Sequence, residues 1–99
     1  MNIKRKQSNT TLTVTVNGRI DTATAPEFEN GVKPYLTGIT ELILDFKGVN
    51  YVSSAGLRAL LSLQKTMMKQ GEMKLVNVCE AVVDVFEVTG FDEILTYNE

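Results

Sequence analysis

The chain has 99 residues, 43% of them hydrophobic, which is enough to bury one modest core but not two. Ten basic residues against twelve acidic ones give a formal charge of -2, so no broad cationic field exists to gather nucleic acid or an anionic membrane surface. Histidine is absent, which excludes Ser-His-Asp and Cys-His catalysis and imidazole metal sites, while the single cysteine, Cys79, can neither close an internal disulfide nor build a thiolate cluster.

These absences lead us to expect a binding protein with no catalytic residues, no cofactor and no metal. The apolar runs fall well short of the roughly 20 residues of a membrane span. The start, Met1-Asn2-Ile3-Lys4-Arg5-Lys6, has no apolar run behind it of the kind a signal peptide carries. A cytoplasmic protein is expected, with Cys79 as a small buried side chain.

In chain order, Ile3 to Gln7 is a weak strand candidate, expected at a sheet edge. Thr11-Leu12-Thr13-Val14-Thr15-Val16 alternates polar and apolar side chains strictly and is rich in β-branched residues, as a half-buried strand requires. Ser8-Asn9-Thr10 between them predicts a hairpin turn, and Asn17-Gly18 ends the second strand. Thr24-Ala25-Pro26-Glu27 reads as a capping box with proline in the first turn. Behind it Phe28, Val32, Tyr35 and Leu36 form one apolar stripe. Pro34 removes a helical hydrogen bond and collides with the carbonyl four residues back, so this helix is expected to kink or stop early.

Leu42-Ile43-Leu44 is a continuous apolar run of the kind found in a strand buried on both faces. From Ser54 onward Leu57, Leu60, Leu61, Gln64 and Met68 follow helical spacing, with Gly71 at the expected end; Met67 and Met68 are read as packing residues. Met73 to Val78 reads as a strand, Ala81 to Thr89 as a helix closed by Gly90, and Ile94 to Tyr97 as a short last strand. Valines 82, 83, 85 and 88 and Phe86 nearly encircle that third helix, so any left outside is a candidate contact patch. The order β-β-α-β-α-β-α-β predicts an α/β fold: a single mixed sheet, central strands parallel, with helices packed on it, and one domain over residues 1–99.

In such units the loops after the carboxyl ends of parallel strands share one sheet edge. This brings together Gly18-Arg19-Ile20-Asp21-Thr22 and Asn50-Tyr51-Val52-Ser53-Ser54-Ala55-Gly56-Leu57. Ser54 is placed as the N-cap of the long helix. The same position suits a phosphoryl group, because open amides and the positive end of the helix dipole stabilise an anion. Asp21 reads either as a partner contact or as a turn aspartate satisfying local amides. Thr22 and Thr24 read mainly as turn and capping residues, and Arg58 either as a partner for an acidic group or as a solvated cation.

The run Tyr51-Val52-Ser53-Ser54-Ala55-Gly56-Leu57 resembles the signature of STAS domains of bacterial anti-sigma-factor antagonists. Gly18-Arg19-Ile20-Asp21 followed by Thr24-Ala25 is similar to that family's second signature, and Leu42-Ile43-Leu44-Asp45-Phe46 to its buried strand. The resemblance covers essentially the whole chain. It implies that Ser54 is phosphorylated by an anti-sigma factor that is itself a serine kinase. The unphosphorylated form then binds that factor and frees the sigma factor, and a serine phosphatase resets the switch. Asp21, Thr22, Ser53, Ser54, Ala55, Gly56 and Arg58 are the implied partner-binding residues, with no nucleic acid or membrane involved. Ser53 stands where family members often carry aspartate and is the second choice for the phosphorylation site. Two rivals remain: a STAS accessory subunit of a lipid-transport ATPase or a stress-complex scaffold, neither controlled by phosphorylation, and a receiver-like phosphoacceptor using Asp45.

Overall fold

A computed structural model describes residues 1–99. Its elements are β1 (Asn2–Ser8), β2 (Thr11–Asn17), α1 (Ala25–Asn30), β3 (Glu41–Gly48), α2 (Ser54–Met68), β4 (Glu72–Val76), α3 (Glu80–Thr89) and β5 (Thr96–Tyr97), with short 3-10 turns at Lys33–Tyr35 and Phe91–Glu93. The five strands form one sheet in the order β1-β2-β3-β4-β5, antiparallel at the first pair and parallel thereafter. The mixed α/β sheet read from the sequence is therefore the observed one. Ser8 pairs directly with Thr11, so the hairpin turn is the two residues Asn9 and Thr10, with Asn9 in the left-handed region at φ 56°. Asparagine tolerates that region because its short polar side chain bonds locally.

Each parallel crossover steps one strand further in the same direction, and with right-handed connections this puts α1, α2 and α3 on the same face of the sheet. The consequence is visible in the register. Leu12, Leu42 and Met73 lie abreast, as do Val14, Leu44 and Leu75, and all six are buried. The opposite face is open. This corrects the expectation for Leu42-Ile43-Leu44: Ile43 is only half-buried, because no helix covers its side. The core is one cluster of 25 apolar residues with no buried polar side chain, and Phe28 and Phe46 meet edge-to-face at its centre, centroids 6.1 Å apart.

Pro34 acts as expected: α1 stops at Asn30 and the chain tightens into the 3-10 turn. Phe28, Val32 and Leu36 are buried, but Tyr35 turns outward and its ring receives the Arg5 guanidinium at 4.1 Å. On α2 the buried stripe is Gly56, Leu57, Ala59, Leu60, Leu63 and Met67, rotated from the one expected; Leu61 is half-buried and Met68 is 71% exposed. Gly71 lies past the helix end, its Cα pressed against the Thr40 backbone where a side chain has no room. The last strand is shorter than expected, because Ile94 belongs to the turn that follows Gly90. Cys79 is half-buried at the head of α3, its thiol donating to the Val49 carbonyl at 3.5 Å.

Candidate functional site

Beyond the last paired residues of β2 and β3, the two following loops remain zipped together. Gly18 N–H donates to the Gly48 carbonyl (3.1 Å), Ile20 N–H to the Tyr51 carbonyl (2.9 Å) and Ser53 N–H to the Ile20 carbonyl (2.8 Å), around a parallel bridge between Ile20 and Val52. Buried Ile20 and Val52 plug this seam into the core. Over its outer side the Arg19 guanidinium lies 4.1 Å from the centroid of the Tyr51 ring, a cation–π contact that joins the loops a second time. The shared edge expected from topology is thus a bonded ridge.

The seam decides which serine caps α2. Ser53 is held extended (φ -86°, ψ 176°) by its bond to Ile20, and its hydroxyl accepts from Gly56 N–H at 3.3 Å. Ser53, and not Ser54, is therefore the N-cap; an extended backbone is what a cap requires, and only Ser53 is pinned there. Ser54 becomes the first helical residue, exposed, and its hydroxyl makes no hydrogen bond within the chain. No acidic residue occupies the first turn, so the positive end of the dipole is uncompensated by any carboxylate.

Gly56 is buried, and a Cβ there would stand 2.8 Å from both the Ile20 carbonyl oxygen and Val52 Cγ1. Its part is to let α2 close onto the seam, and little of its own surface is exposed. Ala55 is half-buried beside it.

Asp21 is half-buried and mostly engaged locally. Its Oδ1 accepts from the amides of Ala23 and Thr24, both at 3.0 Å, and its own amide donates to Thr24 Oγ1 at 2.9 Å. The one proton of the Thr24 hydroxyl is within reach of two acceptors, the Arg19 carbonyl at 2.6 Å and Asp21 Oδ1 at 3.1 Å. The capping box expected at Thr24 and Glu27 does not form: the Asp21 carboxylate takes the Thr24 amide that Glu27 would have served, and the Thr24 hydroxyl is engaged with Arg19 and Asp21 instead of the Glu27 amide. The Thr24 amide and hydroxyl foremost, then the Ala23 amide and the Arg19 guanidinium, hold the Asp21 carboxyl below its usual range against a smaller opposing effect of burial. Arg19 Nε and Asp21 Oδ2, 3.8 Å apart and largely solvated, form a weak ion pair.

Thr22, Ala55 and Arg58 come together: with Pro26, Glu29 and Ala59 they line a shallow groove of about 390 Å³ between the heads of α1 and α2. Arg58 also borders a second groove of about 450 Å³, whose rim adds Lys33, Lys65 and Lys69. Lys33, in the 3-10 turn after α1, donates to Ser62 Oγ of α2 at 2.9 Å, and Ser62 donates to Glu29 Oε2 of α1 at 2.9 Å. Arg19, Tyr51, Pro26 and Glu29 were not anticipated as site residues; Arg19 and Tyr51 lie inside the two signature runs, which was the available signal. Asp45, the rival phosphoacceptor, lies on strand β3 with its side chain on the uncovered face, Oδ1 accepting from the Lys47 amide and the Asn77 side-chain amide. No group of three or more Cys, Asp or Glu side chains is arranged to hold a metal ion there or elsewhere. No helix is long and apolar enough to cross a membrane.

A mixed sheet with its helices on one face and a serine-led helix closing onto the adjacent loop defines the class. Residues 2–99 match the family model for the STAS domain, and the chain belongs to that family. It is 30% identical to the anti-sigma-B factor antagonist of Bacillus subtilis (strain 168), over 96% of this chain and 88% of that protein. Among solved structures, an anti-sigma factor antagonist from Mycobacterium paratuberculosis superposes with a TM-score of 0.86 at 23% identity, covering 97% of this chain and 83% of that one. The Bacillus cell fate determinant SpoIIAA in its phosphorylated form superposes with a TM-score of 0.73 at 15% identity, covering 99% and 92%.

Proposed function

We propose that this chain is an anti-sigma-factor antagonist whose docking is switched by phosphorylation of Ser54. The observation that carries the reading is the position of that hydroxyl. It is solvent-exposed at the first residue of α2, next to the groove lined by Thr22, Ala55 and Arg58. The name of the Bacillus subtilis relative supports the same role.

In this reading the unphosphorylated edge, made of Asp21, Thr22, Ser53, Ser54, Ala55 and Arg58, binds an anti-sigma factor that is also a serine kinase. The kinase transfers the γ-phosphoryl group of ATP: the Ser54 Oγ–P bond forms, the bond to ADP breaks, and the serine proton passes to a base of the kinase. A phosphoryl group adds about −1.5 to −2 charge, nearly doubling the chain's formal -2 at one point of the docking edge. The open amides and helix dipole accommodate that charge at the head of α2. The fold need not move for the partner to be repelled. A serine phosphatase restores the binding form. Ser53 is the less suited acceptor, since its hydroxyl already serves Gly56.

Incubation with ATP and an anti-sigma serine kinase tests this. The intact mass should rise by one phosphate, mapped to Ser54 and abolished by Ser54→Ala. Undiminished phosphorylation of that variant would move the switch elsewhere, and no phosphorylation at all would favour the accessory-subunit or scaffold reading.

A further inference from the structure

The charges of this chain are segregated. Residues 80–99 hold Glu80, Asp84, Glu87, Asp92, Glu93 and Glu99 and no base, a charge of -6; the first 79 residues hold ten bases against six acids. Helix α2 carries Arg58 and Lys65 and no carboxylate, and Lys69 follows at its end; α3 carries only Glu80, Asp84 and Glu87.

Between these rims lies an unpartnered apolar strip. Lys33, Arg58, Ser62 and Lys69 mark the flank of α2 that faces α1. By helical spacing Met68 therefore lies on its far flank, toward α3, and Leu61, which also borders the groove beside Lys33, lies over its top. Because α2 and α3 run the same way on one sheet face, the corresponding flank of α3 faces α2, and it carries Ala81, Val85 and Val88. A surface hollow of about 230 Å³ lined by Asp84, Val85, Val88 and Thr89 marks it. Met68 is 71% and Val88 87% exposed, more than the other exposed large apolar side chains, Tyr35, Tyr51 and Ile94.

We propose that this α2–α3 face is the contact between two copies of the chain, related by a twofold axis. Charge complementarity selects the occupant. A strip with a basic rim on one side and an acidic rim on the other is met rim for opposite rim, twice over, by its own copy when the twofold axis runs along the strip. Any other partner would have to carry both signs in the reversed order. A contact of ordinary size takes about 800 Å² from each partner, a modest share of the 5494 Å² surface. The groove containing Thr22, Ala55 and Arg58 lies on the other flank of α2 and stays open in such a dimer, so the inference goes beyond the switch at Ser54.

Sedimentation velocity on the whole chain tests it. At low salt and rising concentration the mass should move from the 11.0 kDa monomer to the dimer, and the dimer should weaken several-fold at about 0.5 M salt, where charges are screened within a few ångströms. Lys65→Glu with Lys69→Glu should be monomeric, as should Asp84→Lys with Glu87→Lys. An equimolar mixture of those two variants should dimerise again, since each then presents to the other the rims it lacks, an outcome that misfolded variants cannot produce. Val88→Ser with Met68→Ser should weaken the dimer at least tenfold. A mass that stays monomeric at all concentrations overturns the proposal, as does a dimer indifferent to these substitutions or a mixture that fails to reassociate.

Discussion

The guanidinium of Arg19 rests 4.1 Å from the ring centroid of Tyr51, so the loop after β2 and the loop after β3 are clasped outside the hydrogen-bonded seam of Ile20, Val52 and Ser53. Both residues remain partly exposed, and the contact belongs in the range of about 0.5–1 kcal/mol. A double-mutant cycle with Arg19→Ala and Tyr51→Ala, read by urea unfolding, should return a coupling of that size. Tyr51→Phe should retain most of it. Strict additivity of the two substitutions would mean that the clasp does nothing.

Gly56 sets two tendencies against each other. Alanine inside a helix is favoured over glycine by about 0.8–1 kcal/mol, yet at this position its Cβ would sit 2.8 Å from the backbone oxygen of Ile20, which cannot move without opening the seam. Overpacking of this kind costs about 1–3 kcal/mol, so steric crowding wins. Gly56→Ala should be destabilised on balance and should weaken partner binding although the residue is buried. A stabilised Gly56→Ala would show that α2 can shift outward freely.

The two serines should separate cleanly in stability measurements. Ser53→Ala removes the cap and should cost about 0.5–2 kcal/mol, whereas Ser54→Ala, at an exposed first helical residue, should fall within about ±0.5 kcal/mol. Ser53→Asp keeps the acceptor and adds a charge where the first turn has none, so it should gain about 0.3–1 kcal/mol at low salt. Chemical denaturation of the three variants reads all of this, and equal losses from both alanines would contradict the assignment of the cap.

Asp21 makes stability depend on pH in one direction. Its folded carboxyl is more acidic than the free value of 3.8, held so chiefly by the Thr24 amide and hydroxyl. A depressed folded pKa contributes stability that is complete above the unfolded value and disappears as pH falls through the folded one. Asp21→Asn, which keeps an acceptor oxygen but not the charge, should be less stable than the parent at neutral pH. The gap should narrow below about pH 4. Parallel unfolding curves at both pH values would contradict the role of its ionised form.

Much of this was legible from the residues. The alternation of Thr11 to Val16 marks a strand with one covered face because each inward side chain meets a helix-facing neighbour on β3. The meeting of the Gly18–Thr22 and Asn50–Leu57 loops follows from parallel topology alone. What was not legible depended on contacts between segments distant in sequence. Ser53 and Ser54 are equal as caps by type, and the choice falls to a bond from Ser53 to the Ile20 carbonyl on another loop. Leu42-Ile43-Leu44 has the composition of a doubly covered strand, and only the common hand of three crossovers leaves Ile43 half-exposed. The register of the apolar face on α2 was shifted for a similar reason: Leu61 and Met68 are as apolar as Leu63 and Met67, and the packing of α2 onto the sheet decides between them.

The proposed switch is tested most directly by calorimetry of the chain binding an anti-sigma serine kinase, comparing the unphosphorylated protein with protein fully phosphorylated at Ser54. The position of that hydroxyl on the proposed docking edge predicts an affinity at least about tenfold lower for the phosphorylated form, a difference of about 1.4 kcal/mol, with an unchanged far-UV spectrum. Equal affinities of the two forms would contradict it.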